Sequence, residues 1–344
     1  MAKTALITGI SGQDGAYLAK FLLENGYRVV GGLRRSSGGS VPRLDELQIA
    51  DDVAFVDLDL AEMTNIMRAL DKVKPDEIYN LAAQSFVAVS FEQPVYTSDI
   101  VGIGPLRILE AVRQAAPTAR FYQASSAEMF GKAQAELQDE TTPFYPRSPY
   151  GFAKVLGHWA TVNYRESYGL RASSGILFNH ESPLRGREFV TRKITLSLAQ
   201  IRHGGRGVVT LGNLDARRDW GFAGDYVRGM WLMLQQDEAE DFVLASGESH
   251  TVRSFAEAAA RRFGFDLEWT GSGVAERGVD RRSGRVIIEV NPELYRPAEV
   301  DTLVGNPAKA QRVLGWRRNV GFEDLVSLMA EADDRRVRDN AITV

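Results

Sequence analysis

Residues 5–27 read ALITGISGQDGAYLAKFLLENGY. Ala5 to Thr8 form a short apolar, β-branched run that leads directly into Gly9-Ile10-Ser11-Gly12-Gln13-Asp14-Gly15, and Leu18, Phe21 and Leu22 then recur at helical spacing. The pattern is strand, GxxGxxG turn, helix. Glycines allow the tight turn and let backbone approach a pyrophosphate at the helix N-terminus, where free N–H groups and the helix dipole favour anions. A glycine triplet alone is weak evidence. Its place after the first strand of an alternating chain is what makes it specific.

That alternation continues outward. Stretches 28–32, 53–56, 77–81, 120–123 and 173–178 read as strands, and 14–24, 65–73, 103–114 and 150–168 as helices. Strands alternating with helices predict an α/β fold, a doubly wound parallel sheet with helices on both faces. After about residue 179 the rhythm breaks into loops rich in Gly and Arg. Helical spacing returns at 222–234, 252–263, 308–314 and 322–338, and 271–285 reads as a mobile loop. The expected division is a dinucleotide-binding domain over 1–178, to which 219–245 returns, and a smaller α/β substrate domain over 179–218 and 246–344.

Composition narrows the function classes. The 344 residues include 44% hydrophobic and 25% charged side chains, ordinary for a chain with a full core. Lys plus Arg number 41 against 45 Asp plus Glu, so bulk charge suggests no nucleic-acid partner. There is no cysteine, hence no disulfide and no thiolate nucleophile, and only four histidines, so no metal site is expected. No run approaches the roughly 18 apolar residues of a membrane span. The expected compartment is the cytoplasm, with no membrane partner.

After the second strand come Arg34-Arg35-Ser36-Ser37. An acid here would pair with the ribose 2′-hydroxyl of NAD; arginines and hydroxyls suit a 2′-phosphate, so NADP is the expected cofactor. Asp59-Leu60 fits an adenine contact. Leu81-Ala82-Ala83-Gln84-Ser85 lets the chain pass close to the cofactor, and Tyr96 is a further candidate contact. The bland alternative for the arginines is a solvated basic turn.

Tyr150 and Lys154 form YxxxK, on one face of a helix. An ammonium beside a phenol lowers its pKa and fits it to act as a base. Upstream, Ser126 is placed to hydrogen-bond a substrate oxygen, and Glu128 supplies a carboxylate. Simple hydride transfer does not need that carboxylate; removal of a carbon-bound proton does.

Together these residues resemble the extended short-chain dehydrogenase/reductase superfamily, with its Rossmann fold, and within it the GDP-mannose 4,6-dehydratases. The likeness runs nearly end to end, through ETTPFYPRSPYGFAK (140–154), VNYRESYGLRASSGILFNHESP (162–183), FVTRKIT (189–195), LGNLDARRDWG (211–221), MLQQDEAEDFVLASGE (233–248), YRPAEVD (295–301) and KAQRVLGW (309–316). The resemblance implies a lyase that converts GDP-mannose to its 4-keto-6-deoxy product. It implies Ser126, Glu128, Tyr150 and Lys154 as the catalytic group, His180 and Arg185 beside the cofactor, and Asn179, Val190, Lys193, Leu211, Gly212, Arg218, Arg296 and Glu299, with Ser85, around the sugar nucleotide. It further implies a homotetramer, a dimer of dimers in which the arginine loop after the second strand reaches a neighbour's cofactor. A 4-epimerase or 4-keto reductase of the same superfamily is the alternative. The chain departs from the family in having Ser126 for Thr, Phe130 for Tyr and Phe86 for His.

Overall fold

The computed structural model describes residues 2–34, 40–294 and 302–342. Its centre is a seven-stranded parallel sheet. Six strands come from the first half: β1 Thr4–Thr8, β2 Arg28–Leu33, β3 Ala54–Asp57, β4 Glu77–Asn80, β5 Arg120–Ser126 and β6 Ala172–Leu177. Their order is β6-β5-β4-β1-β2-β3, and the strand Phe242–Leu244 adds beyond β6. Chain direction across the sheet reverses between β1 and β4, which opens a crevice at the carboxyl ends of those strands. β1, β4 and β6 are buried at every position, as expected for parallel strands covered on both faces.

The helix α1 (Gln13–Glu24) follows β1 directly. Leu18 and Leu22 of α1 share a core with Tyr226, Val227, Met230 and Met233 of the helix Ala223–Gln235. The opposite face of the sheet is sealed by Ile66 and Leu70 of Met63–Val73 and by Ile108, Leu109 and Val112 of Gly104–Ala115. The longest helix, Pro149–Tyr168, starts sharply. Ser148 caps it by accepting from the Gly151 N–H at 3.0 Å, Pro149 occupies the first turn, and Gly169 at φ +68° ends it.

The second half contains more regular structure than its loop-rich composition suggests. Val190–Arg202 is a helix, and Leu267–Thr270, Arg277–Asp280, Val286–Val290 and Val209–Leu211 form a four-stranded sheet. The stretch read as a mobile loop therefore carries a strand at its centre. Apolar spacing concealed the helix, because Thr191, Arg192 and Thr195 look solvent-facing in sequence and are buried. The Arg192 and Asp333 side chains are fully buried and paired at 2.8 Å. Asp333 also accepts from Thr195 at 2.6 Å and from Arg336 at 2.9 Å. This network joins Val190–Arg202 to the helix Phe322–Arg338, over a second core built on Ile194, Leu198, Phe255, Ile288 and Met329. Among the described residues, no helix is long and apolar enough to cross a membrane.

Candidate active site

At the crevice lies one cleft of about 1170 Å³. Its floor is the glycine-rich turn. Gly9 has φ +70°, and a Cβ there would sit 2.8 Å from Ala82 Cα; one on Gly15 would sit 2.4 Å from the Gly9 carbonyl oxygen. Only glycine permits this approach. Gly12, at the N-terminus of α1, provides no side-chain cap, so the first amides of the helix face the cleft without an internal competitor. Thr8 ties the two sides of the crevice together: its hydroxyl donates to Asn80 Oδ1 at 2.7 Å and accepts from the Leu81 and Ala82 amides at 3.1 Å. This turn fits a dinucleotide pyrophosphate by the space that the absent side chains leave.

The opposite wall carries the candidate acid–base groups. Tyr150 and Lys154 are buried on the helix Pro149–Tyr168, and Ser126, the last residue of β5, and Glu128 just after it line the same cleft. The helix reaches them because Gly151 packs on the Glu128 backbone, where a Cβ would lie 2.7 Å from the carbonyl oxygen. The Glu128 amide donates to Ser126 Oγ at 3.2 Å. The Lys154 ammonium donates to the Ala124 carbonyl at 2.7 Å and sits 5.6 Å from the centre of the Tyr150 ring. The hydroxyl of Ser125, which also lines the cleft, lies 3.0 Å from His158 Nδ1.

The electrostatics differ from the sequence expectation. Burial pushes the Tyr150 phenol up rather than down. The Ser126 hydroxyl and the Arg185 guanidinium pull it back, and the Glu128 carboxylate adds to the rise. Lys154 does not set the phenol's pKa here, because its ammonium is turned toward Ala124. Burial brings Lys154 itself down to about 8, against the attraction of Asp14.

Asp14 and His180 close the inner end. His180 Nε2 lies 2.8 Å from Asp14 Oδ2, its Nδ1 lies 2.7 Å from the Phe178 carbonyl, and its ring stacks on Tyr226 at 4.5 Å. Burial opposes charge on both partners. Their mutual attraction outweighs it, raising the imidazole and lowering the carboxyl. Gln13 donates to the His180 carbonyl at 3.1 Å and accepts from Ser182 at 2.7 Å. At the outer end Arg34 donates to the Tyr96 hydroxyl at 2.8 Å, near Asp59 and Leu60.

Every described residue read from the sequence as a site residue lines this one cleft, including Gln84, Ala83, Ser85, Asn179, Val190, Lys193, Leu211, Gly212 and Arg218, whereas Phe130 is buried in the core with Phe178. Arg35, Ser36, Arg296 and Glu299 lie outside the described residues. The sequence reading missed Arg43, Phe189, Glu181 and Asn213, which also line it. Phe189 stacks edge-on to Phe86 at 5.6 Å and lies under the Arg185 guanidinium at 3.5 Å, so the Phe86 departure builds an apolar wall that reaches Arg185. No periodicity marks these residues; only the cleft brings them together.

A family model described as GDP-mannose 4,6 dehydratase matches residues 6–329. The chain is 52% identical over 338 residues to a GDP-mannose 4,6-dehydratase of Sinorhizobium fredii (strain HH103), covering 96% of each. It is 50% identical over 344 residues to the Homo sapiens GDP-mannose 4,6 dehydratase, covering 98% of this chain and 92% of that protein. The chain belongs to the GDP-mannose 4,6-dehydratase family. Its fold also matches the crystal structure of a Thermus thermophilus UDP-glucose 4-epimerase in complex with NAD, with TM-score 0.80 and 26% identity over 96% of this chain and 98% of that one. Ser126 lacks the methyl that restricts a threonine rotamer. Its contact to the Glu128 amide supplies an alternative restraint.

The Lys154 environment predicts a pH profile. Below about 8 the ammonium is charged and adds positive charge to the cleft that holds Tyr150; above it that charge is lost. Turnover of this GDP-mannose 4,6-dehydratase family member should therefore fall as pH rises through about 8. In Lys154→Arg, whose guanidinium does not titrate there, the alkaline limb should vanish even if the rate is low. A pH–rate series on both proteins checks it, and an unchanged limb in the variant excludes Lys154 as its source.

Proposed function

We propose that the cleft holds a nicotinamide dinucleotide and GDP-mannose together and converts the sugar nucleotide to GDP-4-keto-6-deoxy-D-mannose and water. The carrying observation is the Glu128 carboxylate in the same cleft as Ser126, Tyr150 and Lys154. The family match supports the substrate. The glycine-rich turn, with Thr8, Leu81, Ala82 and Ala83, would hold the dinucleotide. When bound, an oxidised nicotinamide would supply the hydride acceptor for C4 and the hydride donor for C6. The protein moves the protons. Tyr150 takes the 4-hydroxyl proton, with Ser126 hydrogen-bonded to the reacting oxygen and Lys154 supplying positive charge. The 4-ketone acidifies C5–H. Glu128 removes that proton and delivers it to the departing 6-hydroxyl, which leaves as water. Tyr150 then returns its proton to C5. The Phe86–Phe189 wall shields the unsaturated intermediate from bulk water.

Two further assignments rest on the same cleft. Residues 1–178 with 219–245 serve the dinucleotide, supported by the strand Phe242–Leu244 beside β6, and 179–218 with 246–344 serve the sugar nucleotide. NADP is the preferred cofactor, supported by Arg34 at the outer end. Losing a charge-assisted contact costs on the order of 1.5–3 kcal/mol, about tenfold or more in affinity. Arg34→Ala should weaken NADP by that factor and leave NAD nearly unchanged in a binding titration. Tighter binding of NAD by the unmodified protein excludes the preference.

The chain assembles as a homotetramer in this reading. Phe152, Leu156 and Trp159 form an exposed apolar stripe on the helix Pro149–Tyr168, near exposed Phe91 and Val95, and such a stripe marks a protein interface. Trp159→Glu should lower the mass measured by light scattering to that of a smaller assembly. A monomeric unmodified protein rules the assembly out.

Glu128→Gln tests the chemistry. Glutamine keeps the shape and cannot accept the C5 proton, and a general base contributes about 10²–10⁴-fold. Turnover should fall by that order, solvent deuterium should no longer enter C5, and reduced cofactor should accumulate on the enzyme. Tyr150→Phe should abolish all three signals, because oxidation at C4 fails first. Near-native dehydration by Glu128→Gln would remove Glu128 as the base.

A further inference from the structure

The segment Ser182–Glu188 passes from the cofactor end of the cleft, at His180, to the sugar-nucleotide wall at Phe189 and Val190, and it carries Arg185. Its backbone is held by arginines. Arg192 Nη1 donates to the Pro183 and Arg185 carbonyls, each at 2.9 Å. Arg336 Nη2 donates to the Pro183 carbonyl at 2.8 Å. The Leu184 carbonyl between them accepts from Arg43 Nε at 2.7 Å.

Arg43 differs from the other two in its second contact. Its Nη1 donates to the Ser11 carbonyl at 3.1 Å, inside the glycine-rich turn. One guanidinium fork thus joins the turn fitted to a pyrophosphate and the segment that presents Arg185. The fork is rigid and planar, so a shift of either carbonyl strains the other contact. Arg43 is itself anchored. It lies on the short helix α2 (Pro42–Glu46), whose Leu44 is fully buried. On the same helix Glu46 pairs with Arg336, which continues through Asp333 to Arg192. Burial and the like charge of Arg185 lower the pKa of the half-buried Arg43 guanidinium, against the carboxylates of Glu188, Glu46 and Asp14.

We propose that Arg43 is a positioning residue that couples the two halves of the cleft, so that a dinucleotide ordering the Ser11 turn also orders the Leu184–Arg185 segment for the sugar nucleotide. Arg43 acts here through two backbone carbonyls rather than as a ligand contact. The inference rests on the reading of the cleft given under the proposed function. Coupling between two sites is reciprocal, and each ligand must tighten the other by the same factor.

NADPH and GDP-mannose form a ternary complex that cannot begin the reaction, because the cofactor is already reduced. The experiment measures the dissociation constant of each ligand, alone and with the other saturating, by NADPH fluorescence and by calorimetry on cofactor-stripped protein. The unmodified chain should show mutual tightening on the order of 5–20-fold. Arg43→Met and Arg43→Gln, which lose the fork, should reduce that factor to within about twofold of unity, beyond any change in the binding of each ligand alone. A general loss of structure would weaken each ligand alone, and would not selectively erase the coupling. If Arg43→Met does not fold, Arg43→Gln carries the test. Retained coupling in a folded variant overturns the proposal, as does weaker NADPH binding with coupling intact, which would make Arg43 a ligand contact. Unmodified protein that binds both ligands independently overturns the proposal alone. Unmodified protein that binds neither overturns the reading of the cleft on which it rests.

Discussion

The structure depends on a close approach between two pieces of backbone. β1 leaves the sheet at Gly9, turns against Ala82 at the end of β4, and enters α1 with Gly15 packed on the Gly9 carbonyl. A single methyl group at Gly9 or Gly15 would occupy that space. Overpacking of this kind forces backbone shifts, and here those shifts would separate β1 from β4 at the point where the crevice opens. The Thr8 hydroxyl reinforces the junction with three contacts to Asn80, Leu81 and Ala82. The cleft is therefore a consequence of the sheet's order and of missing side chains, before any chemical group is placed in it.

The chemical groups are then fixed largely by backbone carbonyls. Lys154 donates to Ala124, Gln13 to His180, Arg43 to Ser11 and Leu184, and Arg192 to Pro183 and Arg185. A buried carbonyl without a partner is costly, so each contact satisfies two groups at once. Arg185 brings positive charge to the same cleft with partners of its own. Arg185 stacks on Phe189 while its Nε lies 3.0 Å from Glu181. Burial raises the Tyr150 phenol, and the Ser126 hydroxyl and the Arg185 guanidinium oppose the rise.

Much of this was legible in residue order. The GxxGxxG turn, the five following strands and the long helix with YxxxK were readable because short-range patterns determine them: apolar runs for buried parallel strands, helical spacing for covered faces, and glycine where no Cβ fits. The segments that carry the family resemblance extend that reading to the part of the cleft lined by Asn179, Val190, Lys193, Leu211 and Arg218. The helix Val190–Arg202 was not readable, because a buried Arg–Asp network looks like surface charge until its partner 141 residues away is known. The strand Arg277–Asp280 was likewise hidden, since an Arg- and Gly-bearing run becomes a strand only by pairing with Leu267–Thr270 and Val286–Val290.

The sequence by itself determined the fold class, the place of the glycine-rich turn and the candidate proton-transfer groups, because each is encoded by neighbours within a few residues. Only the tertiary structure decided how those groups are charged and which residues hold them in register. The Tyr150 phenol is raised by burial under elements remote in sequence, and Lys154 turns to a carbonyl that spacing cannot indicate. Arg43 joins Ser11 to Leu184 across 32 and 141 positions of chain. Desolvation and long-range hydrogen bonding depend on what surrounds a group in space, and that is set only when the sheets, helices and loops have packed.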